Sequence, residues 1–320
     1  MRPVREQNMT IETMRNADSE IRKKHAAFAA FVAVSGLVFW KTLSTLLAYS
    51  LSRESSSHII LIPFVSLYLL YSERTRIFAS TGTSVGPAIG LICTGLAVYS
   101  FAAWHVYPHD GNGLLPAATF SLVLLWLGGF VLFYGTQAAR TGAFALLFLL
   151  LMVPPPDGIL DRVVYLLQEG STDNTYVLFR MLGVPVLRQG FFLSVPGVTI
   201  EVAQECSGIR SSLALFITCL LAAHLFLRTT WRQAFFALLA LPLAIIKNAI
   251  RIATLTLLSV YVDPRFLTGR LHREGGFVFF LLVLAILAPI LRLLQKSEGR
   301  LASGNLEGDV RARKEFAREI

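Results

Sequence analysis

The chain has 320 residues, 54% of them hydrophobic and only 15% charged, with a formal net charge of +9 and a mean hydropathy of +0.61. A soluble domain cannot bury that much apolar surface, so the composition excludes one and points to an integral membrane protein. The positive charge does not indicate a nucleic-acid partner: it clusters at the termini (Arg2, Arg5, Arg15, Arg22, Lys23, Lys24; then Arg292 to Arg318) and in short loops, without an aromatic-interleaved basic patch.

Residues 1–25 are too polar for a cleaved signal peptide and are read as a cytoplasmic segment ahead of an uncleaved membrane anchor. Apolar runs then cover 26–48, 58–72, 84–105, 114–134 and 140–154. A span of about 30 Å of hydrocarbon takes about 20 helical residues, so the second and fifth runs are short. The piece between 155 and 207 is the longest outside the membrane, and long loops usually carry function. Its first half has helical spacing, with Ile159, Val163, Leu166 and Leu167 as an apolar stripe, and predicts a helix lying on the outer membrane surface. Its second half has short β-branched and aromatic runs around Gly190 and Pro196-Gly197, which predicts a short hairpin. Apolar runs resume at 208–227, 232–261 and 275–294, and residues 298–320 read as a loose, mixed-charge cytoplasmic tail. The expected fold is an all-α polytopic transmembrane bundle of about eight helices, with one membrane-embedded domain over 26–297.

Loop charges give the orientation. With the N-terminus inside, the inner loops carry Arg74, Arg76, Arg140, Arg228 and Arg232, whereas the outer turn before Gly113 carries Asp110 and no Lys or Arg. The outer loop from Asp263 to Gly275 breaks this pattern with Arg265, Arg270 and Arg273. A local breach of a strong rule marks a place to look for function.

That topology brings three side chains to one outer surface. Cys206, in "EVAQECSGIRSS", lies at the outer mouth of the sixth run. Arg251 lies 19 residues beyond Arg232, about 28 Å at 1.5 Å per residue, which returns it to the outer side. His272 precedes the eighth run. A membrane cysteine is ordinarily a small buried hydrophobe, and Cys93 and Cys219 are read that way. None of the three has paired or metal-ligand spacing, and no metal or cofactor is expected. Cys206 differs because free helix N–H groups favour a thiolate there, and Arg210, one turn deeper on the same helical face, adds a positive charge. "KNAIR" sets Lys247, Asn248 and Arg251 on one face of an apolar helix, where ionisable groups usually have work to do. Ser207, Arg210, Asn248, Arg270 and Arg273 are the candidate supporting or substrate-binding residues.

These stretches resemble the exosortase/archaeosortase family, multi-pass membrane cysteine enzymes that process C-terminal sorting signals. "ECSGIRSSLAL" resembles the family's nucleophile motif, "PLAIIKNAIRIATLTLL" its arginine motif and "GRLHREGGFVFF" its histidine motif. "SSHIILIPFVSLYLLYSER" and "LMVPPPDGIL" are similar to its N-terminal half. The resemblance implies Cys206 as the acyl-thioester nucleophile, Arg251 as proton donor and His272 as the third catalytic residue, of the bacterial exosortase type. It further implies substrate proteins ending in a motif such as Pro-Glu-Pro, a membrane helix and a basic tail. They would be transferred to an acceptor it does not identify, with a link to extracellular polysaccharide, in a bacterial inner membrane. Chemistry alone makes His272 the more natural proton shuttle, because a guanidinium hardly deprotonates, so the donor stays open between Arg251 and His272. A multi-pass transporter or polysaccharide-export component, or a non-catalytic scaffold, would explain the helices but not a thiol beside Arg and His. Another kind of cysteine acyltransferase would differ only in its acyl donor.

Overall fold

The computed structural model describes residues 2–106, 113–267 and 276–319. Among these, eleven α-helices run in chain order: α1 (Arg2–Val38), α2 (Trp40–Ser52), α3 (Leu61–Ser72), α4 (Arg74–Ile77), α5 (Val85–Val106), α6 (Leu114–Thr141), α7 (Ala143–Phe148), α8 (Asp157–Met181), α9 (Ile209–Phe226), α10 (Thr230–Tyr261) and α11 (Gly276–Glu319). The protein is an all-α, multi-pass membrane bundle. Helices dominate because a backbone in hydrocarbon must satisfy its hydrogen bonds within itself.

Each of the eight apolar runs is helical over most of its described residues, but they are not eight straight spans. Five helices are long and apolar enough to cross a membrane: α5, α6, α9, α10 and the Gly276–Gly299 part of α11. Two bent pairs raise the number to seven if each counts once: Ser19–Val38 with Trp40–Ser52, bent by 76°, and Ala143–Met152 with Asp157–Met181. The second run is too short to span and enters α3 through a 3-10 stretch, Glu54–Ile60. The expected loose tail is helical instead, continuing α11 to Glu319.

The chain forms two compact units, Met1–Asp157 and Gly158–Ile320. The first is held by close helix approach. A Cβ on Gly128 would lie 2.7 Å from Ile92 Cγ1, and one on Gly129 would lie 2.4 Å from Phe31 Cε1, so α5 and α1 pack against bare backbone of α6. Ser121 Oγ donates to Gly95 O across the α5–α6 contact at 2.7 Å. Aromatic rings from α1 and α6 fill the space beside them, with Phe28 edge-on to Phe130 and Tyr134, whose hydroxyl bonds His25 Nδ1 at 2.8 Å. α6 breaks at Gly135, whose φ of 85° and ψ of 167° only glycine adopts at ease.

In the second unit, one core joins α9, α10 and α11 through Leu215, Cys219, Phe236, Ala240, Val283 and Leu287. The predicted hairpin is a three-stranded antiparallel sheet, β1 (Leu187–Gln189), β2 (Phe192–Val195) and β3 (Val198–Glu201), turning at Gly190 (φ 59°) and Gly197 (φ 92°). Its buried side chains Leu193, Val195 and Ile200 pack with Phe179 of α8 and Ala253 of α10. The sheet therefore fixes the strand that leads into the Cys206 segment.

Candidate active site

Cys206 sits in a 3-10 turn, Gln204–Ser207, that runs into α9 through Gly208. Its backbone is described; its side chain lies outside the described residues. Gly208 is the N-cap of α9 with φ 75° and ψ 16°, a left-handed conformation that frees the chain from helical continuation. This corrects one expectation. Arg210 does not share a helical face with Cys206, because the left-handed residue interrupts the helix between them, and Arg210 is exposed.

The space beside Gly208 is taken by α10. A Cβ there would lie 3.0 Å from both Asn248 Cγ and Oδ1, so the Cys206 turn and the "KNAIR" face approach closely enough that a larger residue would press on Asn248. Asn248 is 1% exposed and its Nδ2 donates to Ser171 Oγ of α8 at 3.0 Å. Its neighbour Lys247 is 2% exposed, and its Nζ donates to Ser211 Oγ. Ser211 Oγ in turn donates to Gly208 O at 3.1 Å, and Ser212 donates to the same carbonyl from both Oγ and N at 2.8 Å. Arg251, one turn beyond Lys247, is half-buried. Ser207 is 1% exposed and its Oγ has no hydrogen-bond partner among the described residues. An open hydroxyl buried next to Cys206 is an uncommon expense of desolvation, and a bound group would relieve it.

The structure thus brings the Cys206 turn, Ser207, Lys247 and Asn248 together within the second unit, with Arg251 on the same helix. His272, Arg270 and Arg273 lie outside the described residues. Of the other cysteines, Cys219 is buried in the α9–α10–α11 core as expected, whereas Cys93, also expected to be buried, is exposed on α5, a helix whose surface is mostly left open for lipid. Among the described residues, no three His, Cys, Asp or Glu side chains gather as metal ligands.

Sequence reasoning missed the α8 contribution. The apolar stripe of α8 is largely the outward one: Ile159 is 58% and Leu166 51% exposed, and of the four only Leu167 is buried. The inward face is polar and comprises Gln168, Ser171, Thr172 and Thr175. Gln168 Nε2 donates to Val202 O at 2.5 Å, just before the Cys206 turn, and Thr175 Oγ1 donates to Ser171 O at 2.7 Å. Their spacing of three, one and three residues was readable as a single helical face. Laying the apolar stripe on the membrane surface leaves the opposite, polar face to water, whereas here that polar face is buried against the protein.

The chain matches the family model described as Transmembrane exosortase (Exosortase_EpsH) over residues 50–289. That range covers α3 through α10, the Cys206 turn and the polar face of α10. No curated protein and no solved structure matches the chain. With the match spanning most of its length, the chain belongs to the transmembrane exosortase family, membrane-embedded proteins that process sorting signals.

Proposed function

We propose that the protein is a cysteine peptidase or transpeptidase that cleaves C-terminal sorting signals through an acyl-thioester on Cys206. The observation that carries this reading is the Gly208–Asn248 contact. It sets the turn bearing Cys206 against the buried Lys247–Asn248 face of α10, with Arg251 on that helix. The thiolate of Cys206 attacks the scissile carbonyl and forms a tetrahedral oxyanion, which Arg251 or the Ser207 hydroxyl stabilises. Collapse breaks the C–N bond; the amine leaves with a proton from His272 or Arg251, and the acyl group stays on sulfur. An acceptor nucleophile then takes the acyl group and restores the thiol.

The substrates of this reading are membrane-anchored proteins ending in an acidic motif such as Pro-Glu-Pro, an apolar helix and a basic tail. Arg270 and Arg273 in the outer loop, with Arg210 exposed on α9, supply charge for such a motif. The active site faces the extracytoplasmic side of a bacterial inner membrane, both termini are cytoplasmic, and the transferred proteins join surface and extracellular-polysaccharide assembly. Support for the sidedness is the Lys and Arg asymmetry of the loops.

A reporter ending in motif, helix and basic tail, co-expressed with the enzyme and treated with hydroxylamine, tests the chemistry. A reporter–enzyme adduct that hydroxylamine releases, absent in Cys206→Ala, is the expected result; processing without any such adduct overturns it. Membrane-impermeant thiol labelling of Gly111→Cys but not Ser303→Cys in intact cells is expected for the sidedness, and the reverse pattern inverts it.

A further inference from the structure

Two side chains of α10 reach the same residue of the Cys206 segment by different routes. Asn248 lies beside the α-carbon of Gly208, where an added Cβ would come within 3.0 Å of it, and is itself anchored by its amide to Ser171 of α8. Lys247 donates to Ser211, whose hydroxyl donates to the carbonyl of Gly208. All five residues belong to the second unit. Ser171 is fully buried, and Thr175, also fully buried, donates to its carbonyl.

Burying an ammonium at the 2% exposure of Lys247 inside an apolar helix is costly, and packing alone would be served better by methionine. The cation is placed where its hydrogen-bond donor meets a hydroxyl that already holds the turn. Chains of this kind polarise one another and fix geometry more firmly than their links do singly. The left-handed Gly208 has no Cβ to restrict it, so its conformation must be imposed from outside. Within α9, Ser212 holds the carbonyl from its N–H and its hydroxyl; α10 adds two side-chain contacts from outside that helix, Asn248 beside the α-carbon and Lys247 through Ser211 at the carbonyl.

We propose that Lys247 with Ser211, and Asn248 with Ser171, are positioning residues that clamp Gly208 and thereby aim the Cys206 turn at the scissile carbonyl. The inference rests on the reading of Cys206 as nucleophile. None of the four touches substrate in this scheme. Their loss misplaces the nucleophile, and a misplacement of about 1 Å can cost about a hundredfold in rate.

The test uses the full chain reconstituted in liposomes, with a purified reporter ending in Pro-Glu-Pro, an apolar helix and a basic tail as probe. Ser171→Ala and Asn248→Leu are expected to lower kcat by about ten- to a hundredfold with KM unchanged. The deciding pair is Lys247→Gln against Lys247→Met. Glutamine keeps a donor for Ser211 without charge, whereas methionine keeps the shape and suits the apolar helix better. The clamp therefore predicts that glutamine retains most of the activity and that methionine loses it, although the methionine variant melts no earlier than wild type. Methionine equal to or better than glutamine overturns the proposal, as does activity that only follows the folded fraction. Cys206→Ala separates the two levels. If it stays active, the nucleophile reading fails whatever the clamp variants do. If it is dead while Ser171→Ala, Asn248→Leu and Lys247→Met turn over at the wild-type rate, the clamp alone fails.

Discussion

The two compact units bury different chemistry. Among its described residues, the first unit buries only hydroxyls as polar groups: those of Ser35, Ser50, Ser56, Ser66, Thr119 and Ser121, with the tyrosines Tyr49 and Tyr134. Several of these bond backbone carbonyls, as Ser66 does with Ala145 at 2.6 Å and Ser50 with Ser56 at 2.7 Å. The second unit buries amides and charges as well: Gln168, Asn248, Arg232 and Lys247. A hydroxyl that returns its proton to the backbone is cheap glue between helices. A buried amide or ammonium is costly and persists where something requires it. Arg232 shows that such a requirement can be architectural: its guanidinium donates to Leu294 O and Ser297 Oγ of α11, while Glu298 accepts from the backbone N–H groups of Arg228 and Thr229 ahead of α10. The Lys247–Asn248 pair differs because its partners converge on the Cys206 turn.

If that contrast separates scaffold from chemistry, substitutions in the second unit's polar face should move turnover and those in the first should move stability. The largest effect is expected for Cys206→Ala, with processing of the reporter down by about 10³-fold or more, while Cys93→Ala and Cys219→Ala process near normally. Loss of activity in Cys219→Ala with Cys206→Ala intact and folded would move the chemistry out of the turn. Next is Arg251→Lys, which keeps charge but not the planar fork of donors; a drop of about 10²–10³ is expected, the usual cost of losing one oriented donor to an oxyanion. Wild-type cleavage by the lysine variant, at matched expression, would reduce Arg251 to an interfacial anchor.

Gly208→Ala sharpens the contrast because it acts on both quantities. Forcing an L-residue to a φ of 75° costs about 1–2 kcal/mol, and the new Cβ also meets Asn248. Reduced thermal stability and reduced kcat are expected together. A variant with normal turnover would mean that the turn tolerates displacement. Gly129→Ala belongs to the other side. The overlap with Phe31 should destabilise the first unit by about 1–3 kcal/mol, read as an earlier melting transition in detergent, with unchanged kcat per folded molecule. The smallest effect is expected for Ser66→Ala, which loses one buried hydroxyl bond to Ala145 worth about 1 kcal/mol and leaves turnover alone. A kcat effect from either of the last two would erase the distinction between the units.

Much of this is legible in the amino-acid sequence. Hydropathy alone located every apolar helix, because the demand for internal hydrogen bonding in lipid leaves the backbone no alternative. Gly190 and Pro196-Gly197 announced the sheet turns through residues that tolerate or prefer the required dihedrals. The spacing in "KNAIR" placed Lys247 and Asn248 on one face, and both are buried together. The motif resemblance identified the family that the comparison then showed.

Tertiary structure decided the rest. Whether 26–48 makes one straight span depends on a break at Phe39 that hydropathy does not register. Which side of α8 turns inward depends on what lies on each side, and its amphipathic pattern reads the same for lipid or for protein. Arg210 follows Cys206 by a helical interval, yet a single left-handed glycine breaks that helix. Local periodicity determines which residues share a face. Only packing determines what that face meets, and here it set Ser171, Asn248 and Gly208, far apart in sequence, around one turn.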